Sequence, residues 1–235
     1  MIFHVLTLFP EMIQGAVSHS ILGRGIRSGL ISVNCVNIRD FAINKHGQVD
    51  DSPYGGGVGM VLMAPPVYDA HRYVLESIRN KEEVSPANDD TAPPLIYLSP
   101  QGRVLTQKVA QEIAASREII LLCGHYEGLD ERIIEEIVTD EISIGDYVLT
   151  GGEPAALVLM DAVSRLVPGV LGKASSSIDE SFSDGLLEYP HYTRPAVFRE
   201  RAVPDVLLSG HHGQIDAWRK AQSLARTQAK RPDLL

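Results

Sequence analysis

The sequence has little of what characterises secreted, membrane-spanning or disulfide-stabilised proteins. It contains two cysteines, Cys35 and Cys123, and each stands in an apolar, strand-like run. Thiols in such positions are typical small buried hydrophobic groups of a protein from a reducing compartment. No signal peptide opens the chain, and no uncharged stretch approaches the length of a membrane span. We therefore expect a cytoplasmic protein with no membrane partner.

Several signatures of ligand sites are missing as well. The glycine-rich segment 54–60, YGGGVGM, lacks the Gly-Lys-Ser/Thr ending of a P-loop, and no strand–GxGxxG–helix unit indicates a dinucleotide-binding fold. We interpret this segment as a flexible loop whose glycines would still allow the backbone to approach a planar ligand closely. No Cys/His spacing indicates zinc, and we recognise no nucleophilic triad, so we predict no metal-binding residues.

Charge is distributed unevenly along the chain. The 235 residues are 44% apolar and 22% charged, which is typical of a globular protein with one large domain and a small one. The net charge of -9 disfavours nucleic-acid binding when it is averaged over the whole chain. Residues 191–235, however, carry eight basic and four acidic side chains. This tail could form a local phosphate-binding surface, although a solvated basic helix would look the same.

Apolar periodicity predicts an α/β protein with a largely parallel sheet, because strand and helix patterns alternate. We expect a first domain over residues 1–172, a polar linker over 173–186 and a small, mostly helical domain over 187–235. Two further polar segments, 39–60 and 80–94, are expected to be loops. Strand patterns cover residues 2–8, 31–38, 95–102, 119–122 and 142–149. Helical patterns cover 11–29, 65–79, 106–116, an acidic stretch after 127, 153–166 and 212–228.

The most informative stretch is 121–165, where two apolar patterns end in polar, glycine-containing turns. The first runs into Gly124, His125, Tyr126 and Glu127, and the second into the segment 150–152, Thr-Gly-Gly. Ligands of α/β proteins bind at the carboxyl ends of strands. These two turns are therefore expected to form two walls of one small-molecule pocket.

Two groups of charged residues allow two interpretations each. Arg165 lies in an otherwise apolar helix, where it could pair with Asp161 one turn earlier or hold an anionic substrate. The linker acids Asp179, Glu180 and Asp184 could be solvated charges, or one of them could be a general base that becomes ordered when substrate binds. The residues alone do not decide between these alternatives.

A series of motifs in a fixed order covers nearly the whole chain. Together they resemble the bacterial tRNA (guanine-N1)-methyltransferases, the TrmD family of the SPOUT class. The motifs are FPEM (9–12), NIRDF (37–41), KHGQVDDSPYGGGVGM (45–60), IYLSPQG (96–102), CGHYEGLDER (123–132), SIGDYVLTGGE (143–153), DAVSRLVPGVLGK (161–173), SFSDGLLEYPHYTRP (181–195), LSGHH (208–212) and KRPDLL (230–235).

The resemblance implies a parallel sheet with a deep trefoil knot, a rare exception to the rule against threaded chains. It also implies an obligate homodimer, which agrees with the nearly all-round apolar helix after Gly152. The knot would bind the methyl donor S-adenosyl-L-methionine between three loops. By similarity, the donor-binding residues are Tyr97, Leu98, Ser99, Pro100, Gly124, Tyr126, Glu127, Ile144, Gly145, Asp146, Tyr147, Val148, Leu149, Gly151 and Gly152.

The implied reaction transfers a methyl group to N1 of guanine 37 in tRNA, beside the anticodon. By similarity Arg165 stabilises charge on the guanine, and an acid of the linker removes the N1 proton. The usual motif has Asp directly before Ser-Phe, whereas this chain has Glu180 there and Asp179 one step earlier. We expect Glu180 to be the base and keep Asp179 as the alternative. The resemblance also points to Mg²⁺, although no ligand set is recognisable.

Other functional classes fit the residues less well. Another knotted methyltransferase could act on ribosomal RNA or on a ribose hydroxyl, but a ribose methylase needs no carboxylate matched to a ring N–H. A nicotinamide oxidoreductase is disfavoured by the missing GxGxxG motif. A non-catalytic RNA-binding module is disfavoured by the acidic body of the chain and by its small-ligand pocket.

Overall fold

The protein divides into two units, residues Met1–Leu171 and Gly172–Leu235. The computed structural model describes residues 1–82, 92–172, 180–182 and 184–235. Most of the expected loop 80–94 and most of the expected linker 173–186 lie outside these ranges.

A five-stranded parallel sheet forms the centre of the first unit, as the α/β pattern predicted. The strand order is β2-β1-β6-β5-β7, and every neighbouring pair is parallel. Two further strands, β3 and β4, form a separate antiparallel pair: β3 lies in the segment 39–60 that was expected to be a loop, and β4 directly follows that segment. The strands are β1 (Ile2–Thr7), β2 (Ser32–Asn37), β3 (Asp50–Asp51), β4 (Val61–Leu62), β5 (Leu95–Val104), β6 (Glu118–Cys123) and β7 (Asp140–Ser143).

Helices cover both faces of this sheet, which explains why its inner strands are almost continuously apolar. In β6, residues 119–123 are all fully buried: Ile119, Leu121 and Cys123 belong to one hydrophobic cluster, and Ile120 and Leu122 to the other. This alternation follows from the two-residue period of a strand. The helices are α1 (Pro10–Val17), α2 (Ser20–Arg27), α3 (Ala64–Glu82), α4 (Gln107–Ala114), α5 (Glu131–Ile137) and α6 (Glu153–Ser164), and Ile38–Phe41 forms a 3₁₀ turn.

The prediction of one helix over residues 11–29 was wrong. The chain forms α1 and α2 separately, and Ser20 takes a left-handed backbone conformation (φ 55°) at the start of α2. A Cβ at Gly23 would overlap the carbonyl of Ser18, so the two helices meet where only glycine fits. The apolar spacing continues across this break and therefore conceals it.

The strand predicted over residues 142–149 was also wrong in extent, because β7 ends at Ser143. Gly145 (φ 147°) turns the chain away from the sheet. The strand β5, by contrast, is longer than predicted, and its pairing with β7 shifts register between Leu98 and Arg103. Residues 99–102 therefore bulge out at the edge where the neighbouring strands end.

The second unit is built from short elements around one long helix. A hairpin of β8 (Val197–Phe198) and β9 (Arg201–Ala202) precedes α7 (Asp205–Leu208) and α8 (His212–Lys230), and Pro232–Leu234 forms a 3₁₀ turn. Thr227 is the one buried residue among those described in this unit. Its hydroxyl accepts a hydrogen bond from Leu187 N (2.8 Å) and donates one to Ser223 O (2.8 Å). No helix in the described parts of the chain is long and apolar enough to cross a membrane.

Candidate active site

A cleft of about 360 Å³ opens at the carboxyl ends of β5, β6 and β7. The bulged part of β5 and the segments that follow β6 and β7 form its walls, and the first turn of α6 closes its base. Of the predicted donor-binding residues, all line the cleft except Asp146. The predicted residues in the cleft wall are Tyr97, Leu98, Ser99, Pro100, Gly124, Tyr126, Glu127, Ile144, Gly145, Tyr147, Val148, Leu149, Gly151 and Gly152.

Sequence reasoning missed several residues of the cleft wall. Ile142 and Ser143 belong to β7, and Gly128, Leu129, Glu131 and Ile134 come from the turn after β6 and from α5. His125 stands inside the His-Tyr-Glu cluster that marked this turn, so a signal for it was present. Ala155 of α6 was missed too, whereas Gln101 and Thr150 lie inside predicted segments, the IYLSPQG motif and the turn 150–152, although neither was named as a donor-binding residue.

The turn after β6 is held in an uncommon conformation. Tyr126 has a left-handed backbone (φ 60°), and the Gly128 N–H closes the turn on His125 O (3.1 Å). A non-glycine residue in this region costs on the order of 1 kcal/mol, so the surroundings must hold it. Tyr97 packs beneath the turn, and a Cβ at Gly124 would lie 2.9 Å from its hydroxyl. Glycine at 124 is therefore required for this close approach.

The wall after β7 is stabilised by short-range contacts. The Ser143 hydroxyl accepts from Gly145 N (3.2 Å) and donates to Gly145 O (3.1 Å). The Tyr147 ring folds over Gly145, and its hydroxyl donates to Ile144 O (3.2 Å). These contacts stabilise a loop that leaves Val148 87% exposed beside the cleft.

A buried polar network joins the walls at the base of the cleft. Glu153, the first residue of α6, is fully buried and accepts a hydrogen bond from the Thr7 hydroxyl. Its other carboxylate oxygen lies 2.7 Å from His125 Nε2. The Gly152 N–H donates to Gly124 O (2.8 Å), and His125 and Gly151 form an isolated β-bridge. The end of β1, the turn after β6 and the start of α6 therefore meet at one carboxylate.

The charge of the cleft limits the ligands that fit it. Of the described residues that line it, none is lysine or arginine, whereas Glu127 and Glu131 supply carboxylates. Burial, together with the negative charges of Glu141 and Glu131, raises the pKa of Tyr97 to about 12. The phenol is therefore neutral near pH 7. An acidic cleft without basic side chains favours a cationic ligand over a phosphorylated one.

The two cysteines are not reactive groups of this cleft. Cys123 is fully buried, and desolvation is the main reason that its pKa lies well above 9. Cys35 is half-buried, and burial with the nearby Glu11 raises its pKa to about 11. Both thiols are protonated near pH 7, as expected for cysteines in apolar surroundings.

The glycine-rich loop 54–60 contacts the turn after β6. Glu127 N–H donates to Met60 O (3.0 Å), and the Glu127 side chain packs against Gly59, where a Cβ would overlap it. Gly55, Gly56, Gly57 and Gly59 all have positive φ, which explains why glycine is repeated here. Tyr54 at the start of the loop is fully exposed.

The predicted catalytic residues belong to different units. Arg165 follows the last turn of α6 in the first unit and is half-buried, and its backbone N–H donates to Asp161 O (3.2 Å). Glu180 belongs to the second unit, where it lines a cavity of about 310 Å³ together with Glu188, Tyr189 and Arg219. Asp179 lies outside the described residues.

The described parts of the chain contain no recognisable metal-binding site. No group of three or more His, Cys, Asp or Glu side chains there is arranged to hold one. The described residues therefore provide no ligand set for Mg²⁺.

The fold and the cleft define a class: an α/β protein that presents an acidic, glycine-lined cleft at the carboxyl edge of a parallel sheet. A family model described as tRNA (Guanine-1)-methyltransferase TrmD matches residues 1–235, the whole chain. The chain belongs to this family, which confirms the resemblance noted from its motifs.

Relatives named tRNA (guanine-N(1)-)-methyltransferase agree with this assignment. The protein from Ruminiclostridium cellulolyticum is 56% identical over 232 residues, which cover 99% of this chain and 95% of the relative. The protein from Staphylococcus epidermidis is 54% identical over 230 residues, covering 98% and 89%. The one from Dehalococcoides mccartyi is 56% identical over 230 residues, covering 98% and 88%.

Proposed function

We propose that this chain transfers a methyl group from S-adenosyl-L-methionine to N1 of guanine 37 in tRNA. The observation that carries the donor assignment is the charge of the cleft. The donor is a sulfonium cation, and the described lining offers carboxylates and no basic side chain. A nicotinamide dinucleotide carries a pyrophosphate, for which this lining provides no counter-charge.

The donor supplies an activated methyl group, so the remaining work of the protein is to orient the acceptor and increase its nucleophilicity. Guanine N1 carries a proton at neutral pH and is a poor nucleophile until that proton leaves. We assign this proton transfer to the Glu180 carboxylate. The N1–carbon bond forms as the carbon–sulfur bond breaks, and the bonding pair remains on sulfur. Asp179 is the alternative base.

Arg165 is assigned to the charge that develops on the base. As the N1 proton leaves, negative charge spreads to guanine O6. A guanidinium held beside O6 stabilises this charge in the transition state more than in the ground state, and one such donor contributes about 3 kcal/mol. Arg165 suits this role because it follows a well-packed helix, whose Leu159, Met160 and Val163 are fully buried.

The proposal includes two features of assembly and topology. The first is a homodimer: α6 is apolar, yet its Val158 is 48% exposed, as is Met12 of α1. The second is a trefoil knot in the first unit. β5 lies between β6 and β7 in the sheet, so the segment that connects β6 to β7 passes over β5. After β7 the chain runs back towards the end of β6, where the Gly152 N–H donates to Gly124 O.

We assign residues 1–172 to donor binding, 173–186 to an interdomain linker and 187–235 to tRNA binding. The charge of the second unit supports this division, because residues 191–235 carry eight basic and only four acidic side chains. A base in a single-stranded loop can be splayed out and contacted on its edges. Backbone phosphates would bind the basic side chains, so affinity should fall as salt rises. A protein acting on tRNA in this way is expected in the cytoplasm.

The test combines calorimetry with a tRNA assay. The full chain should bind S-adenosyl-L-methionine and not NAD, and primer extension on tRNA treated with enzyme and donor should stop at guanine 37, because N1 methylation blocks base pairing. A matched tRNA with adenosine at position 37 should show no stop. Binding of NAD but not of the donor, or a stop at another nucleotide, would contradict the proposal. Light scattering should give a dimer mass.

A further inference from the structure

Glu153 is a fully buried acid that the reaction described above does not use. Burying an ionisable group costs free energy unless the group is hydrogen-bonded, so a buried glutamate at this position calls for an explanation. Its two carboxylate oxygens bond separate partners, Thr7 at the end of β1 and His125 in the turn after β6. The side chain of His125 is 13% exposed and also lines the cleft.

The side chain of His125 is tightly enclosed. Its contact with Glu153 therefore bears on the shape of both the turn after β6 and the turn before α6. A Cβ at Gly151 would overlap the His125 ring and come within 2.8 Å of Glu153 Oε2. The Phe9 ring also packs against the imidazole, with centroids 5.1 Å apart. His125 therefore occupies one position, confined between Phe9, Gly151 and Glu153.

The residue after His125 is the strained one. Tyr126 has φ 60°, and its ring meets the His125 ring edge-on with centroids 6.2 Å apart. A left-handed residue persists only where its neighbours hold it. The hydrogen bond from His125 to a buried carboxylate supplies that constraint at the first residue of the turn.

We propose that His125 and Glu153 are positioning residues for the methyl donor. Glu153 fixes the His125 imidazole, and the imidazole fixes the Tyr126 turn and the Gly151–Gly152 turn at the separation that accepts the donor. The pair thus preorganises the cleft and acts on donor affinity rather than on the chemical step. This inference rests on the proposed function, because it takes S-adenosyl-L-methionine as the ligand.

The chain provides a control in a second histidine–glutamate pair, in which His4 is buried and Glu118 is partly buried. His4 Nε2 lies 3.0 Å from Glu118 Oε2, and the His4 side chain is 5% exposed. Glu118 begins β6, whereas the cleft begins after its last residue, Cys123. Glu118 and Cys123 are five residue steps apart along β6, which is about 16 Å. His4→Leu therefore breaks a comparable pair at the other end of the same strands.

The experiment compares three full-length variants by calorimetry, turnover and thermal unfolding. His125→Leu should raise the donor dissociation constant about tenfold or more and change kcat at saturating donor much less. His125→Gln should recover most of the affinity, because its amide can still reach Glu153. His4→Leu should lower the melting temperature similarly and leave donor affinity unchanged.

A second arm covers the case in which His125→Leu does not fold. Thr7→Val removes one hydrogen bond to Glu153 at nearly constant volume and should raise the donor dissociation constant about fivefold. Wild-type-like donor affinity in His125→Leu or Thr7→Val, or an equal loss in His4→Leu, would overturn the inference while the proposed function stands. Failure of the wild-type chain to bind the donor would instead remove the proposed function and this inference with it.

Discussion

The two units differ in how they bury apolar side chains. In the first unit the sheet and its helices enclose two hydrophobic clusters with many fully buried residues, among them Phe3, Leu121 and Leu159. In the second unit the described apolar side chains are all half-buried or exposed, with Phe198 63% and Leu208 62% exposed. Small units bury a smaller share of their surface. The second unit therefore buries a smaller share of its described apolar side chains than the first unit does.

Local backbone conformation shows the same contrast. In the first unit the strained Tyr126 is held by the buried network of Glu153 and His125. In the second, Arg199 (φ 45°) and Glu200 (φ 63°) form an exposed hairpin turn between β8 and β9. The Arg199 guanidinium lies 5.5 Å from the centroid of the Phe198 ring. An exposed aromatic ring beside arginines suits a nucleic acid, which offers bases to stack and phosphates to bind.

The largest effect is expected at the proposed base, in the second unit. Glu180→Gln should lower methyl transfer at least about 100-fold, because the amide cannot accept the N1 proton, and should leave donor binding intact. Single-turnover primer extension and calorimetry measure the two effects. Glu180→Asp, which restores the carboxylate, should recover activity. A mild Glu180→Gln together with a crippled Asp179→Asn would transfer the role to Asp179.

A similar loss is expected in the first unit at Arg165. Arg165→Ala should lower methyl transfer about 100-fold through the loss of about 3 kcal/mol of transition-state stabilisation. Calorimetry should find donor affinity close to wild type. Arg72→Ala removes an exposed arginine of α3 that pairs with Glu76, and it should behave like wild type in both assays. Unchanged turnover in Arg165→Ala would contradict its proposed role.

The contrast in packing can be tested with two leucines in long helices. Leu159 in α6 is fully buried, and Leu224 in α8 is 49% exposed. Leu159→Ala should cost about 2–5 kcal/mol of the free energy of unfolding, whereas Leu224→Ala should change it by about 0.5 kcal/mol or less. Urea titration of the tRNA-free chain measures both. Equal losses would show that the second unit has a closed core of its own.

The smallest effect concerns the hairpin of the second unit. Arg201→Ala should weaken tRNA binding about equally for different tRNA sequences and lower the slope of log affinity against log salt by about 1, as expected for one lost phosphate contact. Filter binding across a salt series measures the slope. Arg72→Ala on α3 is again the control and should leave it unchanged. An unaltered slope in Arg201→Ala would exclude the hairpin from the RNA contact.

Much of the cleft could be predicted from local patterns. Apolar runs with a two-residue period, followed by glycine and polar residues, indicate strand ends, and the carboxyl ends of parallel strands share one edge. The contribution of Ile134 could not be predicted, because it depends on where α5 packs beside the ends of the strands. The break between α1 and α2 was hidden too, because their apolar spacing continues across it.

By itself, the sequence determined the α/β class, the family and the two glycine-containing turns, because strand periodicity, turn residues and long motifs are properties of neighbouring residues. Tertiary structure alone decided that His125 and Glu153, 28 positions apart, share a hydrogen bond, and that Thr7, 146 positions from Glu153, joins them. It also decided that β7 stops at Ser143 within an apolar run. Such contacts depend on which strand ends the sheet brings together and on the space left between them, which local sequence does not encode.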